Sequence, residues 1–323
     1  MRLSVIVINY NTRELLSDCL KSLHQDPEHD DWQIIVVDNA SEDDSAMMVR
    51  REFSEVTLVA LDENLGFSKA NNRAAEVAEG RYLVFLNADT VVPAGVLGWL
   101  CDFLDEQADA AIAGPRMLGV DGELQYTART FPGPLNTFLE YFFLDRLLSS
   151  LPFFGRPRLT YIDHTKRHRV DYVSGACLVI AREYFEKAGR WCEDYFFYAE
   201  DADLCAEVKK IGGRTYYCGG RAITHFGGAS ASQIATATTI EAHRSVFLFV
   251  RRQRGAVAMI LQRLITFVGA LGRFIVTAVA TPFATLFGHG QRFAARTSLY
   301  WRVIRLCFSP DPYPTGRFID TAP

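Results

Sequence analysis

The stretch that decides the fold is Val84-Phe85-Leu86-Asn87-Ala88-Asp89, an apolar run that stops on a carboxylate. Such a run reads as a buried strand. Thr90 to Pro93 end it and lead into a helix, so Asp89 falls at the carboxyl end of a strand, where open α/β sheets receive their ligands. The amide of Asn87 stands two residues earlier on the same side of the strand, and the pair suits a divalent cation carrying a diphosphate. The alternative is that Asp89 only caps the next helix.

Working outward, Leu3–Ile8, Gln33–Val37 and Val56–Ala60 are further short buried strands, and Glu14–Leu23, Asp43–Phe53 and Ser68–Ala78 are the helices between them. Strand and helix in alternation predict a mostly parallel sheet with crossover helices. A helix from Pro93 to Leu104 and a strand Ala110–Ala113 continue it. From Gly114 to Arg169 the pattern loosens into loops with one amphipathic helix near Asn136–Leu148. Val170–Ile180 and Arg214–His225 read as strands, with a helix Ala202–Ile211 between them.

Four polar stretches fall at strand ends: Asn9-Tyr10-Asn11-Thr12, Asp38-Asn39-Ala40-Ser41, Asn64-Leu65-Gly66-Phe67 with Asn71-Asn72, and Asn87-Ala88-Asp89. Parallel strands would gather all four at one sheet edge. Asp38 can accept from the imide N–H of a uracil or thymine ring, and Gly66 permits close backbone approach. Each Asn or Asp taken singly could equally be a turn or cap residue. Neither a Gly-x-Gly-x-x-Gly after a strand nor a P-loop sequence occurs, which disfavours dinucleotide and P-loop chemistry. A fifth stretch, Trp191 to Cys205, packs Glu193, Asp194, Glu200, Asp201 and Asp203 among Tyr195, Phe196, Phe197 and Tyr198. Carboxylates beside aromatic surface can have raised pKa values and act as bases. A helix N-terminus enriched in acids explains part of the same pattern.

The 323 residues are 49% apolar and 22% charged, ordinary globular composition. The seven scattered cysteines lack any Cys-x-x-Cys spacing, which fits a reducing compartment and argues against a disulfide frame or zinc site. The apolar run at the N-terminus is too short for a signal peptide. Charge is unevenly placed. From Glu241 onward there are eleven arginines, no lysine and three acids, a net +8, so the overall −4 leaves −12 for the preceding residues. A basic, apolar tail on an acidic body suits an anionic lipid surface. Within Gly255–Gly290 the longest charge-free apolar piece, Phe274 to Phe287, has 14 residues, short of the roughly 20 that span a bilayer. Helices lying in the interface are the first reading; a tilted span with a snorkelling Arg273 and a helix pair packed on the body are the others.

Taken together, these stretches resemble bacterial family 2 glycosyltransferases of the GT-A fold, of the rhamnosyltransferase-like kind. The resemblance rests on Val36-Val37-Asp38-Asn39-Ala40-Ser41, on Asn64 to Asn72, on Phe85 to Thr90, on Phe196 to Cys205, and on His225-Phe226-Gly227-Gly228-Ala229-Ser230, in that order across residues 3–250. It implies a GT-A type Rossmann-like, mostly parallel α/β sheet flanked by helices. Residues 1–240 would be the catalytic domain, with a nucleotide-sugar half (1–115) and an acceptor half (116–240). Residues 241–323 would be a helical, membrane-associating extension. The resemblance implies that Asp38 holds the nucleotide base, that Asp89 binds Mg²⁺ or Mn²⁺ on the diphosphate with His225 nearby, and that Asp201 is the catalytic base, with Glu200 beside it. Asn9, Tyr10, Asn11, Ser41, Asn64, Gly66, Phe67, Asn71 and Asn87 complete the nucleotide-sugar candidates; Arg129, Asp194 and Tyr198 are the acceptor-side ones. Where the family often has Asp-x-Asp, this chain has Asn87-Ala88-Asp89, and where many relatives have Phe-Asp-Glu it has Trp191-Cys192-Glu193.

The activity so implied is inverting transfer of a sugar, L-rhamnose from dTDP-rhamnose first among the choices, from a dTDP- or UDP-sugar. The acceptor would be a polyprenyl-diphosphate-linked saccharide or polysaccharide in cell-envelope glycan synthesis, at the inner face of the cytoplasmic membrane. No nucleic acid partner is expected, and a homo-oligomer is compatible with this reading. The competing class is a non-catalytic nucleotide-sugar-binding scaffold on the same fold. A nucleotidyltransferase would need a glycine-rich, Arg/Lys-bearing loop after Leu3–Ile8, and none is there.

Overall fold

The computed structural model describes residues 1–227 and 235–310. Four strands, β1 (Leu3–Asn9), β2 (Trp32–Asp38), β3 (Thr57–Ala60) and β4 (Tyr82–Asn87), run parallel in the order β3-β2-β1-β4. The helices that return the chain are α1 (Arg13–His24), α2 (Ser45–Glu52) and α3 (Gly66–Val77). The register sets Asn9 opposite Asp38 and Ile8 opposite Asn87, so the polar strand ends lie side by side. Period-two alternation divides the core. Val5 and Val7 pack into one layer and Ile6 into the other, with Leu100 and Phe103 of α4 (Val96–Glu106) in the first layer and Trp191 and Phe185 in the second.

Beyond β4 the sheet becomes mixed. Two-residue β5 (Thr90–Val91) follows the metal-candidate turn, and β6 (Ala110–Leu118) is long. Short β7 (Leu124–Gln125) and β8 (Ala128–Arg129) precede the helices α5 (Pro134–Tyr141), α6 (Leu144–Leu147) and α7 (Pro152–Gly155). The expected helix 136–148 is thus broken, at Phe143, whose φ is +58°. The expected strand 170–180 is broken too. It becomes β9 (Arg167–Val170), β10 (Tyr172–Val173) and β11 (Cys177–Ala181). β10 pairs with β8 in a separate small sheet, whereas β11 inserts antiparallel between β4 and β6. The breaks fall where side chains claim the backbone elsewhere: Asp171 accepts from the N–H of Phe131, and Gly175 donates its N–H to Asp201. After α8 (Arg182–Lys187) and α9 (Glu200–Lys210), β12 (Arg214–His225) lies parallel to β6 and carries His225 to β5.

The C-terminal region folds back on itself. α10 (Ala235–Leu286) is continuous in outline, but Gly255 (φ +82°, ψ −176°) is not helical. Arg263 lies over the ring of Phe247, Met259 packs in one cluster with Phe247 and Phe249, and Ile240 and Phe267 both pack against the cluster of Ala270, Val303 and Ile304, so residues 256–286 run back along 235–254. α11 (Gly290–Phe308) then returns antiparallel, with Phe274 on Trp301 and Phe267 on Phe308. The 235–254 arm is clamped to α9 by Ala202, Ala206, Phe247 and Phe249, and by Gln253 donating to Asp203 and Glu207. Arg273 does not snorkel outward. It donates to the carbonyls of Glu140 and Tyr141 and lies over the rings of Tyr141 and Phe143. Arg263 likewise turns inward to the Ser309 carbonyl. The two arginines that interrupt the apolar sequence therefore face protein, and one apolar stripe is left outside: Val257, Ile260, Leu264, Val268, Ile275, Val279 and Phe283 are 48–82% exposed.

Candidate active site

The donor-side edge is a wired polar network. Asn9, fully buried at the end of β1, donates through Nδ2 to Asp38 Oδ1 and Ser41 Oγ (both 3.0 Å), and its Oδ1 accepts from Thr12 (2.7 Å). Asp38 Oδ2 accepts from the Ser41 N–H (3.0 Å), so both its oxygens are engaged, each with acceptor capacity to spare. Asn11 holds φ +52° and donates its N–H to Ser41 Oγ, which anchors the turn beside half-buried Tyr10. Asn39 is not among the sequence candidates, yet it fixes the next loop. It donates to Asn64 Oδ1 (2.9 Å) and the Gly66 carbonyl (3.2 Å) and accepts from the Leu65 N–H (2.8 Å). Gly66 (φ +77°) is required, but by protein: a Cβ there would lie 2.5 Å from the Phe196 carbonyl oxygen, which accepts from the Phe67 N–H (2.8 Å). Phe67 and Asn71 are buried. Phe67 sits edge-on to Trp191, and Asn71 donates to the Phe67 carbonyl. Asn72 holds the next segment, exchanging hydrogen bonds with the backbone of Trp191 and donating to Glu193.

At the centre of the edge stand Asn87, Asp89 and His225. Gln125 donates through Nε2 to the His225 carbonyl (2.7 Å), which turns its Oε1 onto His225 Nδ1 (2.7 Å). That contact places the ring proton on Nδ1. Nε2 then stands 3.3 Å from Asp89 Oδ1, with the amide of Asn87 3.4 Å away. Among the described residues no three His, Cys, Asp or Glu side chains cluster. The donor set of one carboxylate, one imidazole and one amide fits Mg²⁺ or Mn²⁺, which keep open positions for water and substrate phosphates. Gln125, on a two-residue strand, carries no signal in the sequence. Residues 228–230 of the His225 stretch lie outside the described residues.

The second carboxylate group opens α9. Tyr198 and Ala199 both take left-handed φ (+71° and +61°), a sharp turn that presents Glu200 and Asp201 in the first helical turn. Asp201 Oδ2 accepts from the Gly175 N–H (3.1 Å) and Oδ1 from the Ala202 N–H (2.7 Å). Burial raises its pKa above the usual aspartate value, while those two N–H donors and the charge of Arg129 hold it down. Glu200 is buried with Oε2 unpartnered, and burial together with the Asp201 charge raises its carboxyl well above the ordinary range. Arg129, paired across β8–β10 with Tyr172, is within electrostatic reach of Asp201 and Glu140. Tyr198 packs on Phe197 and remains 37% exposed. Asp194 turns away, toward Arg252 of the C-terminal arm (3.8 Å).

One two-residue segment joins the groups. Ala176 accepts through its carbonyl from the Asn87 N–H (3.0 Å), and Gly175 donates to Asp201. The backbone of Asn87 and the carboxylate of Asp201 are therefore tied together through two consecutive residues.

Residues 4–189 match the family described as Glycosyl transferase family 2. The chain is 24% identical over 259 residues to the N-acetylglucosaminyl-diphospho-decaprenol L-rhamnosyltransferase of Mycobacterium tuberculosis (strain ATCC 25618 / H37Rv), covering 77% of this chain and 83% of that protein. Among solved structures it resembles S. aureus TarS (TM-score 0.53, 18% identity, 82% of this chain), of which it spans 42%. It also resembles the mannosyltransferase PcManGT from Pyrobaculum calidifontis in complex with GDP-Man and Mn²⁺ (TM-score 0.56, 17% identity, 94% of this chain and 85% of that one). The strand-end network, the Asp89–His225 pair and the Asp201 turn thus sit on the scaffold of a known enzyme class: this chain belongs to glycosyl transferase family 2.

Proposed function

We propose that the protein is an inverting glycosyltransferase of cell-envelope glycan synthesis. It takes a sugar from a dTDP- or UDP-sugar and passes it to a polyprenyl-diphosphate-linked saccharide or polysaccharide at the inner face of the cytoplasmic membrane. L-Rhamnose from dTDP-rhamnose is the first candidate, supported by the mycobacterial relative of that named activity. The observation that supports the reading is the Gly175–Ala176 bridge, which ties the Asn87 backbone, two residues before Asp89, to the Asp201 carboxylate.

Asp38 and the Asn9–Ser41 network offer acceptors to a nucleobase imide, and Asn64 shapes the adjoining loop. Asp89, His225 and Asn87 would hold Mg²⁺ or Mn²⁺, which when bound offsets the charge growing on the leaving diphosphate. Asp201 takes the proton of the acceptor hydroxyl as its oxygen attacks the anomeric carbon. Its raised pKa makes it a stronger base than an exposed aspartate. One base and one displacement invert the anomeric centre; burial raises the carboxyl of neighbouring Glu200 well above the ordinary range. Arg129 faces the acceptor side. The basic, apolar C-terminal region, its stripe turned outward, would dock on anionic lipid, bringing the cleft to a lipid-linked substrate.

Purified protein assayed for donor hydrolysis and transfer against a panel of nucleotide sugars with Mn²⁺ tests this reading. Turnover of one donor that vanishes in Asp201→Asn supports it. Donor binding without turnover of any panel member would instead fit a scaffold.

A further inference from the structure

The exposed apolar surface does not end with the C-terminal region. α5 and residues 256–286 lie side by side and run the same way: Arg254 packs on Gly133, Gln262 donates to Thr137, Gly269 abuts Tyr141, and Arg273 reaches the carbonyls of Glu140 and Tyr141. On α5, Asn136 and Leu139 are buried, while Thr137 and Tyr141 meet the C-terminal arms. The next flank round the helix is left outside, with Phe138 38% and Phe142 44% exposed. Beyond it Phe143 (51%), Leu147 (78%), Leu151 (47%) and Phe153 (56%) continue an apolar ridge through α6 and α7. Parallel helices wind in the same sense, so the open flank of α5 and the stripe on 256–286 border one seam from the same side. Folded protein rarely leaves such a continuous patch uncovered without a use for it.

We propose that this ridge, residues 138–153, is the second half of a membrane dock, and that the protein rests on an anionic bilayer through the ridge and the C-terminal stripe together. The inference rests on the lipid-facing reading of the stripe given above. Charge decides the occupant. Arg146 is exposed beside Leu147 and over the Phe143 ring, and exposed Arg292 and Arg296 lie beyond the stripe. Residues 242–310 contain no acid at all. Basic residues rimming aromatic and aliphatic surface match anionic headgroups over acyl chains. The consequence is geometric. Glu140 follows the ridge residue Phe138 by two positions and lies within electrostatic reach of Arg129, which in turn reaches Asp201. With both sides seated, the seam between them opens at the lipid surface, and a lipid-linked saccharide would approach Asp201 from within the membrane plane.

The test uses the full chain and vesicles of phosphatidylglycerol with phosphatidylcholine. Phe138→Ser/Phe142→Ser/Leu147→Ser should lower vesicle partitioning by about 10- to 100-fold, as expected when three partly inserted side chains lose their apolar surface. A thermal midpoint within a few degrees of wild type shows that this variant folds. Phe142→Trp in a Trp301→Phe background should add an indole emission that brominated acyl chains on anionic vesicles quench. If the triple variant partitions like wild type, or the introduced indole is not quenched while Val279→Ser/Phe283→Ser weakens binding, the ridge proposal is overturned and the stripe reading survives. If wild-type protein ignores anionic vesicles, or sediments as a dimer through this face, both fall.

Discussion

The two carboxylates that flank the cleft are held in opposite ways. Asp89 meets the side chain of His225 at 3.3 Å, whereas Asp201 accepts from two backbone N–H donors and lies near an arginine. One carboxylate is held by a side chain and the other by the backbone. In the proposed function, a position that exchanges a cation with each substrate suits the first arrangement, and a base that keeps its aim through every turnover suits the second.

The largest expected effect tests the second design. Asp201→Asn keeps the shape and one of the two backbone hydrogen bonds but cannot take a proton. Transfer should fall by about 10²–10⁴ with donor affinity nearly unchanged; calorimetry beside a turnover assay separates the two, and near-normal turnover would remove Asp201 from the mechanism. Asp89→Ala should abolish the gain in UDP or dTDP affinity that Mn²⁺ gives, because Asn87 supplies no charge in its place. A gain as large as in wild type would put the cation elsewhere. Gln125→Ala frees the His225 ring to change tautomer and should weaken Mn²⁺ binding by roughly 10–100-fold, the range seen for partners that orient metal ligands. Titration of Mn²⁺ in the presence of nucleotide reads it directly.

The smallest effects concern pH. Glu200 has a raised pKa in the folded chain, so its contribution to stability is full below the ordinary glutamate value of 4.5 and is lost as pH rises through the raised value. Glu200→Gln removes that loss. It should unfold at a higher temperature than wild type at pH 7, by about 1.4 kcal/mol for every tenfold gain in proton affinity that folding gives the carboxyl, and the gap should close toward pH 4. An unchanged midpoint at both pH values would mean that the carboxyl is not protonated. Arg129→Met removes a charge that lowers the Asp201 pKa, so the acid limb of the rate profile should move to higher pH; no movement would separate Arg129 from the base.

The same contrast separates what the sequence discloses from what it does not. The donor edge is legible because β1, β2 and β4 are unbroken apolar runs, and each stops on an Asn or Asp that parallel register must align. The acidic stretch Glu193–Asp203 stands out because five acids among aromatics match no solvated face, and the family resemblance, not the pattern, picks Asp201 from it. Direction and pairing are not. Nothing in Cys177–Ala181 tells that it enters the sheet antiparallel, or that Asp171 and Gly175 will break the strand on either side of Tyr172–Val173. Gln125 acts through one side chain on a two-residue strand, too short to carry a pattern. Arg263 and Arg273 interrupt the hydropathy of the tail, and only tertiary contacts show that both turn inward and leave the outer stripe whole. The stretch 235–286 is two arms that meet at non-helical Gly255.

The contact of Gly66 and Phe67 with Phe196 has a kinetic consequence. The loop proposed to receive the nucleotide and the loop that ends in Asp201 share the Phe67–Phe196 hydrogen bond, with no room for a side chain between them. Neither loop can shift without pulling on the other. Seating of the first substrate would then prepare the place of the second, and the two substrates would enter in a compulsory order, donor before acceptor, a pattern that product inhibition by the nucleoside diphosphate would display.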